Sequence, residues 1–472
     1  MLKHRYMRRY APIALGLIFL LIVTWFLVAK LEIAPSKISN KSATQTASFF
    51  VTRSGSSLML AGKQFRFSGP NIYWLGMQET DNGNAYPSHF RVDDALATAE
   101  IMGATVVRSH TLGISVGCTI CVEPRLGVFN QLALQSIDYA IACARVHHIR
   151  LIIPLVDNWH YYHGGKHTFT TWRGLSNEKL FYSDPQVIGD FEAYISVILN
   201  HVNRYNGVAY KDDPTILAWE TGNELSAPSN WVQKIATYIK GLDTHHLLVD
   251  GNYEQPSDTA NFLPDLHINE LDIFSGHYYP PTISAFQTEV SQAQAANKVF
   301  IADEYDWNTS GGDALGLFLP AIEHSAAAGD LYWSLFPHDD SYGFVPHNEH
   351  YTLHYPGDTP QMRTRVTLLT AHAYAMRSLS VPAMVLPDAP AITSVSGKRI
   401  AWRGVAGAYI YTVERSVVGA TGPWTVVCNQ CATDNTTPWT DRTRPSGSVW
   451  YRVKGYSLSG VVSLYSKVSP AG

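Results

Sequence analysis

The run Ile216-Leu217-Ala218-Trp219-Glu220-Thr221-Gly222-Asn223-Glu224-Leu225, entered through Asp212-Asp213-Pro214, is the stretch on which the reading of the fold turns. Four consecutive apolar residues, Ile216 to Trp219, follow a Pro-containing turn and fit a strand buried on both faces better than a helix. Asn223 and Glu224 then arrive at its carboxyl end, where parallel α/β sheets and barrels hold their ligands. Taken alone, Glu224 reads equally as chemistry or as a solvated residue on a strand-exit loop.

Outward from this run, strand-like and helix-like stretches alternate. A small hairpin leads from Phe49 into a first buried strand ending near Tyr73, with Gly55 and Gly62 at turns. Helices are predicted over Arg91–Met102, Leu132–His147, Gln186–Asn206, Trp231–Leu242, Ser284–Ala296, Ala314–Ala328 and Arg363–Ser380. Strands are predicted over Thr105–Arg108, Arg150–Leu155, Leu247–Val249, Ile273–Ser275, Val299–Ala302 and Leu331–Ser334. About eight β-α units make a (β/α)8 TIM barrel the leading fold over an open doubly wound sheet. No G-x-G-x-x-G follows the first strand, which weighs against a dinucleotide fold.

Beyond Ser380 the text shifts through V-P-A-M-V-L-P-D-A-P to short alternating runs, Ile400–Trp402, Ala408–Arg415, Trp424–Val427, Val449–Gly455 and Val461–Ser466, as in a small C-terminal all-β sandwich. At the other end, Ala11 to Ala29 carry no charge and follow Lys3, Arg5, Arg8 and Arg9. This is the pattern of an N-terminal transmembrane helix acting as an export signal or anchor. Leu27 stands where a cleavage site needs a small residue, so an uncleaved anchor is expected, the rest of the chain lying outside the cell membrane; cleavage would make the protein secreted. The expected organisation is therefore 1–30 anchor, 31–48 flexible stalk, 49–380 barrel, 381–389 linker and 390–472 sandwich.

Composition narrows the function further. Thirty-five Lys and Arg against 39 Asp and Glu leave a net charge of −4, so there is no basic field for nucleic acid and none is expected as a partner. Twelve Trp and 26 Tyr exceed the needs of a core and suit a surface that stacks flat ligands such as sugars. Tyr73, Trp74, Trp159, Trp172 and Trp307 are the candidates, each equally able to be core.

The strand Val299–Ala302 runs into Asp303-Glu304-Tyr305 and supplies a second carboxylate at a strand's carboxyl end. Two Glu on one rim suit glycoside hydrolysis, which needs one acid to protonate the leaving oxygen and one carboxylate on the other side of the sugar. Other strand ends add Arg108 (V-V-R-S-H), His277 and Tyr279 (S-G-H-Y-Y-P) and Trp333 (L-Y-W-S-L-F).

In this ordered set, Arg108, Asn223-Glu224, His277-x-Tyr279, Glu304 and Trp333, the chain resembles glycoside hydrolase family 5 over roughly Phe49 to Ser380. The resemblance implies Glu224 as general acid/base, Glu304 as nucleophile, Asn223 on the sugar 2-hydroxyl, Arg108 and Tyr279 on the nucleophile, and Trp333 as floor of the reacting-sugar site. It implies no cofactor; the His-rich runs H-Y-Y-H-G-G-K-H and H-N-E-H-Y-T-L-H lack the H-E-x-x-H spacing, so polar cleft loops and no metal are expected there. Physically, Arg108 near Glu304 would keep it ionised, while Glu224 in a drier setting would start protonated. Leu225 stands where the family often has Pro. After the third strand many members carry a His; here D-N-W-H-Y-Y-H-G-G leaves His160, Asp157 or Asn158 for that place. The openings G-P-N-I-Y-W-L, A-W-E-T-G-N-E, H-Y-Y-P and A-D-E-Y look more like the family's endo-β-1,4-mannanase branch than its cellulases. The late W-Y-R-V-K-G-Y strand with Trp402 resembles a fibronectin type III module.

In an exported chain, Cys118-x-x-Cys121 and Cys428-x-x-Cys431 read as disulfides, with Cys143 left over. Three functions stay open: a retaining mannan hydrolase, a β-glucan hydrolase or transglycosylase on the same barrel, and a non-catalytic carbohydrate-binding surface protein. Retention of both Glu argues against the third.

Overall fold

Buried apolar strands leave their backbone groups only one another to bond, and here eight of them do so in parallel. The structure, a computed structural model, describes residues 49–252, 262–309, 311–347, 349–384 and 388–471. The expected anchor and stalk lie outside them, and among the described residues no helix is long and apolar enough to cross a membrane.

The strands are β1 Phe67–Pro70, β2 Val106–Arg108, β3 Arg150–Pro154, β4 Ile216–Glu220, β5 Leu247–Val249, β6 Ile273–Tyr278, β7 Val299–Asp306 and β8 Gly329–Trp333. They hydrogen-bond in the order β1-β8-β7-β6-β5-β4-β3-β2. The two ends of that order meet: Asn71 bridges Arg108 in parallel, and Ile72 N–H donates to the Arg108 carbonyl at 2.9 Å. A Cβ on Gly69 would stand 2.0 Å from the Val106 carbonyl oxygen, so only glycine lets β1 come this close to β2. The result is the closed eight-stranded arrangement of a (β/α)8 barrel.

The connecting helices are α1 His89–Ile101, α2 Gln131–Val146, α3 Pro185–Asn200, α4 Ser229–Leu242, α5 Ile283–Ala295, α6 Leu315–Glu323 and α7 Pro360–Met376. Their starts are written in the sequence: Ser88 caps α1, Asn130 α2, Asp184 α3 and Thr359 α7, each accepting from a first-turn N–H. Such caps are each worth about 1 kcal/mol. Pro185 and Pro360 open α3 and α7 with a preset φ.

Strand β4 serves two cores, as its unbroken apolar run predicts. Leu217 and Ala218 join the inner layer with Phe67, Val106, Ile152, Val249 and Leu331. Ile216 and Trp219 join the outer layer between strands and helices, with Leu96, Ile141, Ile195 and Phe286. The N-terminal hairpin, Thr52–Ser54 with Ser57–Leu60, sends Val51 and Leu58 into the inner layer and so plugs the barrel's amino end.

Three expectations change. Strand β7 runs on through Asp306 and β6 through Tyr278, so Glu304 and His277 lie within paired strands, facing each other in register, rather than on exit loops. The helices predicted over Gln186–Asn206 and Ala314–Ala328 stop at Asn200 and Glu323. Val461–Ser466 is not a strand: the Ser463 and Ser466 hydroxyls accept from the Gly455 and Val453 N–H groups, taking donors that a ladder would use.

The other C-terminal runs form two antiparallel sheets. One contains β9 Ala391–Ser396, β10 Arg399–Arg403 and Trp439–Thr440; the other β12 Thr425–Ala432, β11 Ile410–Ser416, β13 Val449–Tyr456 and β14 Ser469–Ala471. Trp402, Tyr411, Val413 and Tyr451 form their shared core. They rest on the barrel through His338, buried between Asp94 at 2.9 Å and Asp434 at 3.3 Å.

Candidate active site

A single buried cation organises the carboxyl rim. Arg108, at the end of β2, donates from Nε and Nη2 to the two Glu220 oxygens at 2.8 and 2.9 Å, and from Nη1 to Glu304 Oε1 at 2.6 Å. Its Nη2 also reaches Asn223 Oδ1 at 2.8 Å, its Nη1 donates to His110 Nε2 at 2.8 Å, and Asp303 lies 3.2 Å from Nε. The guanidinium is fully buried, with planar forks occupied on both sides, a geometry lysine cannot copy.

Glu304 is thereby held from several directions. Tyr279 Oη donates to its Oε2 at 2.9 Å, and His277 Nδ1 lies 3.5 Å from the same oxygen. Burial alone would raise its pKa, but His277, His110 and Arg108 outweigh that and hold the carboxyl well below the usual range. Glu304 is therefore an anion throughout the neutral range.

Glu224 arrives by a different route. After β4 ends at Glu220, Asn223 N–H donates to the Val156 carbonyl at 2.7 Å and Leu225 N–H to the Gly251 carbonyl at 2.8 Å, pinning the turn on both sides. Between these anchors Glu224 takes φ +51°, a left-handed conformation that costs a non-glycine residue about 1–2 kcal/mol. Such strain persists where surrounding bonds over-determine it, commonly at functional sites. The turn aims the side chain into the cleft, where Oε1 meets His277 Nδ1 at 2.9 Å and Oε2 accepts from Trp159 Nε1. Oxygen atoms of Glu224 and Glu304 come within 4.8 Å of each other.

The drier setting expected for Glu224 is not found: its side chain is 14% exposed against 6% for Glu304. What separates the two carboxylates is the company of Glu304. Although burial pushes His277 down, the Glu304 and Glu224 carboxylates hold it up to about 9, so the imidazole stays charged between them. Beneath, burial pushes Glu220 up to about 8 against the pull of Arg108, with Asp303 adding to the rise.

Of the residues named from sequence, Arg108, Asn223, Glu224, His277, Tyr279 and Glu304 are brought into one hydrogen-bonded cluster. Trp333 lies beside it, stacked on Tyr73 with ring centroids 5.1 Å apart and planes at 7°. Trp159 is 42% exposed at the cleft. Trp307 and Trp74 are not brought there: both are core, their indole N–H groups donating to the carbonyls of Tyr351 and Leu335. His160 is exposed and paired with Glu178. The buried groups from the third loop are Asp157, one of the expected alternatives, and His163, 2.9 Å from it; Asp157 in turn accepts from Asn223 Nδ2 at 3.3 Å.

Sequence reasoning missed His110, His163, Glu220 and Asp303. His110 follows Arg108 by two residues, the spacing that returns a strand side chain to the same face, and Glu220 ends the central strand; both signals were present. Asp303 gave none, because neighbours on a strand should face opposite ways. The register slips between Ala302 and Tyr305 in the β7–β8 pairing, and Asp303 and Glu304 both meet Arg108.

Similarity to known proteins agrees with this geometry. Residues 48–310 match the profile described as GH family 5 beta-mannosidase-like. Mannan endo-1,4-beta-mannosidase 4 of Solanum lycopersicum is 32% identical over 278 residues, 54% of this chain and 68% of that protein. A putative mannan endo-1,4-beta-mannosidase 5 of Oryza sativa subsp. japonica is 28% identical over 361 residues, 62% of this chain and 72% of its own. The solved endo-1,4-beta-mannanase of Rhizomucor miehei superposes with a TM-score of 0.59 at 25% identity, covering 70% of this chain and 99% of that one. With its profile spanning the barrel through β7 and both rim carboxylates in place, the chain belongs to glycoside hydrolase family 5, beta-mannosidase-like, and is an O-glycosyl hydrolase.

Proposed function

We propose that the protein cleaves internal β-1,4 linkages of mannan by double displacement, with Glu304 as nucleophile and Glu224 as general acid and then base. The observation that carries this is the pair itself. An anionic Glu304, fixed by Tyr279 and Arg108, faces Glu224 with oxygens within 4.8 Å. Retaining enzymes hold these groups about 5–5.5 Å apart, and inverting ones about 6.5–9.5 Å, to admit water.

In the first step Glu304 attacks the anomeric carbon while Glu224 gives its proton to the departing glycosidic oxygen. In the second, Glu224 takes a proton from water, which displaces Glu304 and restores both groups. Asn223, its carbonyl tied to Arg108, presents its amide toward the sugar 2-hydroxyl, and Trp333 on Tyr73 floors the reacting sugar. The choice of mannan rests on the mannan endo-1,4-beta-mannosidases of tomato and rice to which the chain is similar. Release of reducing ends by the detergent-purified chain tests it. Mannan or glucomannan should be cut and cellulose and xylan spared; the reverse order refutes the substrate.

The C-terminal sheets, residues 390–472, serve as a fibronectin type III-like spacer after the linker 381–389, and the Ala11–Ala29 segment holds the enzyme on the outer side of the cell membrane. The Cys118–Cys121 and Cys428–Cys431 disulfides support an oxidising compartment.

A further inference from the structure

We propose that Asp93, Cys143 and His147 form a zinc-binding site on the outer helices of the barrel, with Glu100 orienting the imidazole. Cys143 is the one thiol among the described residues outside a disulfide, and it is buried. It stands four residues before His147, whose N–H still donates to the Cys143 carbonyl at 3.1 Å, so helical geometry stacks the thiol and the imidazole on one face of α2. Helix α1 lays Asp93 and Glu100 along the same line.

The distances are those of a coordination shell. Cys143 Sγ lies 3.5 Å from Asp93 Oδ1, and His147 Nε2 lies 3.2 Å from the same oxygen. All three ligand atoms fall within 4.8 Å of one another. A tetrahedron with Zn–S about 2.3 Å and Zn–N and Zn–O about 2.0–2.1 Å has S···O and N···O edges of about 3.5 and 3.3 Å. The other ring nitrogen, His147 Nδ1, meets Glu100 Oε2 at 2.8 Å. A carboxylate on the far nitrogen is the arrangement that fixes tautomer and ring orientation in metal-ligating histidines.

A charged imidazole clamped by two acids would account for His147, Asp93 and Glu100 without a metal. In that reading the thiol only donates a weak S–H bond to the same oxygen, a bond that a ligating thiolate would replace. Sulfur, nitrogen and carboxylate together suit zinc, and the Asp93 side chain, 51% exposed, leaves a solvent-side route and room for water as fourth ligand. Among the described residues, the other cluster of this kind outside the catalytic pair, His110 with Asp157 and His163, is less suited, because His110 Nε2 already accepts from Arg108.

The test is equilibrium dialysis of the full chain against zinc after chelator treatment, without reductant so that both disulfides stay closed, with metal read by mass spectrometry. The chain should take up one zinc. Cys143→Ser and His147→Gln should each lose it, and Glu100→Gln should keep the stoichiometry while weakening affinity about 10–100-fold. Cobalt(II) in place of zinc should give a thiolate charge-transfer band that Cys143→Ser abolishes. If Cys143→Ser fails to fold, Asp93→Asn, altered at a half-exposed side chain, must show the same loss of zinc. Zinc uptake by Cys143→Ser equal to that of the parent, or cobalt binding without the thiolate band, overturns the site and leaves an ion-paired triad. Glycoside hydrolysis should be the same with and without the metal, since none of the four residues reaches the cleft.

Discussion

The two ends of the barrel bury cations in opposite ways. At the carboxyl rim Arg108 is surrounded by side chains, Glu220, Asp303, Glu304, Asn223 and His110. Toward the amino end Arg66 donates to the main-chain carbonyls of Ile322, Glu323 and Ala327, and Lys298 to those of Ile268 and Leu271. Burial pushes all three cations toward neutrality. Arg66 and Lys298 stay below their ordinary range, whereas the carboxylates around Arg108 reverse the effect and hold it well above. A cation on helix-end carbonyls closes orphaned acceptors; one on ionisable side chains sets their charge. Only the second kind makes a reaction centre.

The largest expected effect breaks that centre directly. Glu304→Ala should abolish polysaccharide hydrolysis, because no covalent intermediate can form. Glu224→Ala should lose about 10²–10⁴-fold on mannan yet still be glycosylated by an activated aryl mannoside, whose leaving group needs little protonation. Mass spectrometry should find the adduct on Glu224→Ala, with azide releasing it; an adduct on Glu304→Ala instead would reverse the two roles.

Substitution of the cations comes next. Arg108→Met leaves Glu220, Asp303 and Glu304 buried together without their counter-ion, so about 3–5 kcal/mol of stability should go, along with activity. Arg66→Met forfeits carbonyl bonds at a half-buried site, about 1–2 kcal/mol, with kcat retained. Urea unfolding and turnover measured on both variants would undo the contrast if Arg66→Met proved the more damaging to catalysis.

Much of this was open to a reader of the sequence. The barrel followed from the alternation of buried runs with amphipathic ones, and six site residues from polar groups at successive strand ends. Trp307 was not separable from a platform, because an indole with its N–H satisfied by Tyr351 and one facing sugar look alike in one dimension. Asp303 depended on a register slip, which pairing between distant strands decides. Which of His160 and His163 turns inward was settled by partners far away or on the loop itself, Glu178 for one and Asp157 for the other.

A smaller effect sharpens the rim in pH. His277 is held up to about 9 against about 6.5 when unfolded. Its contribution to stability is therefore complete below about pH 6.5 and lost as pH rises through about 9. Activity should fall over the same alkaline limb as the charge beside Glu304 disappears. His277→Asn should flatten both profiles between those values; an unchanged alkaline limb would assign it to another group.

The smallest effect lies at the contact between barrel and C-terminal sheets, another buried cation on side chains but remote from the cleft. His338 Nδ1 faces Asp94 at 2.9 Å and Nε2 faces Asp434 at 3.3 Å; burial pulls its pKa down, and the two carboxylates raise it to about 10. Asp434 also accepts from Tyr411 Oη at 2.9 Å, so the contact reaches into the core of the C-terminal sheets. Asp434→Asn keeps an acceptor for Tyr411 but removes one of the two charges, and Asp94 remains. The expected loss is about 1–2 kcal/mol, read as a melting temperature lower by a few degrees. With His338 less strongly held, the stability it lends below about pH 6.5 should fade at lower pH than in the parent, where it persists toward about 10. Turnover of short mannooligosaccharides should not change, because this charge pair orders two packed units and touches no group at the rim. A fall in kcat for Asp434→Asn without a change in folding would mean that charged partners mark a reaction centre even at this distance, and the distinction drawn from Arg108 and Arg66 would have to be redrawn around the sheets as well.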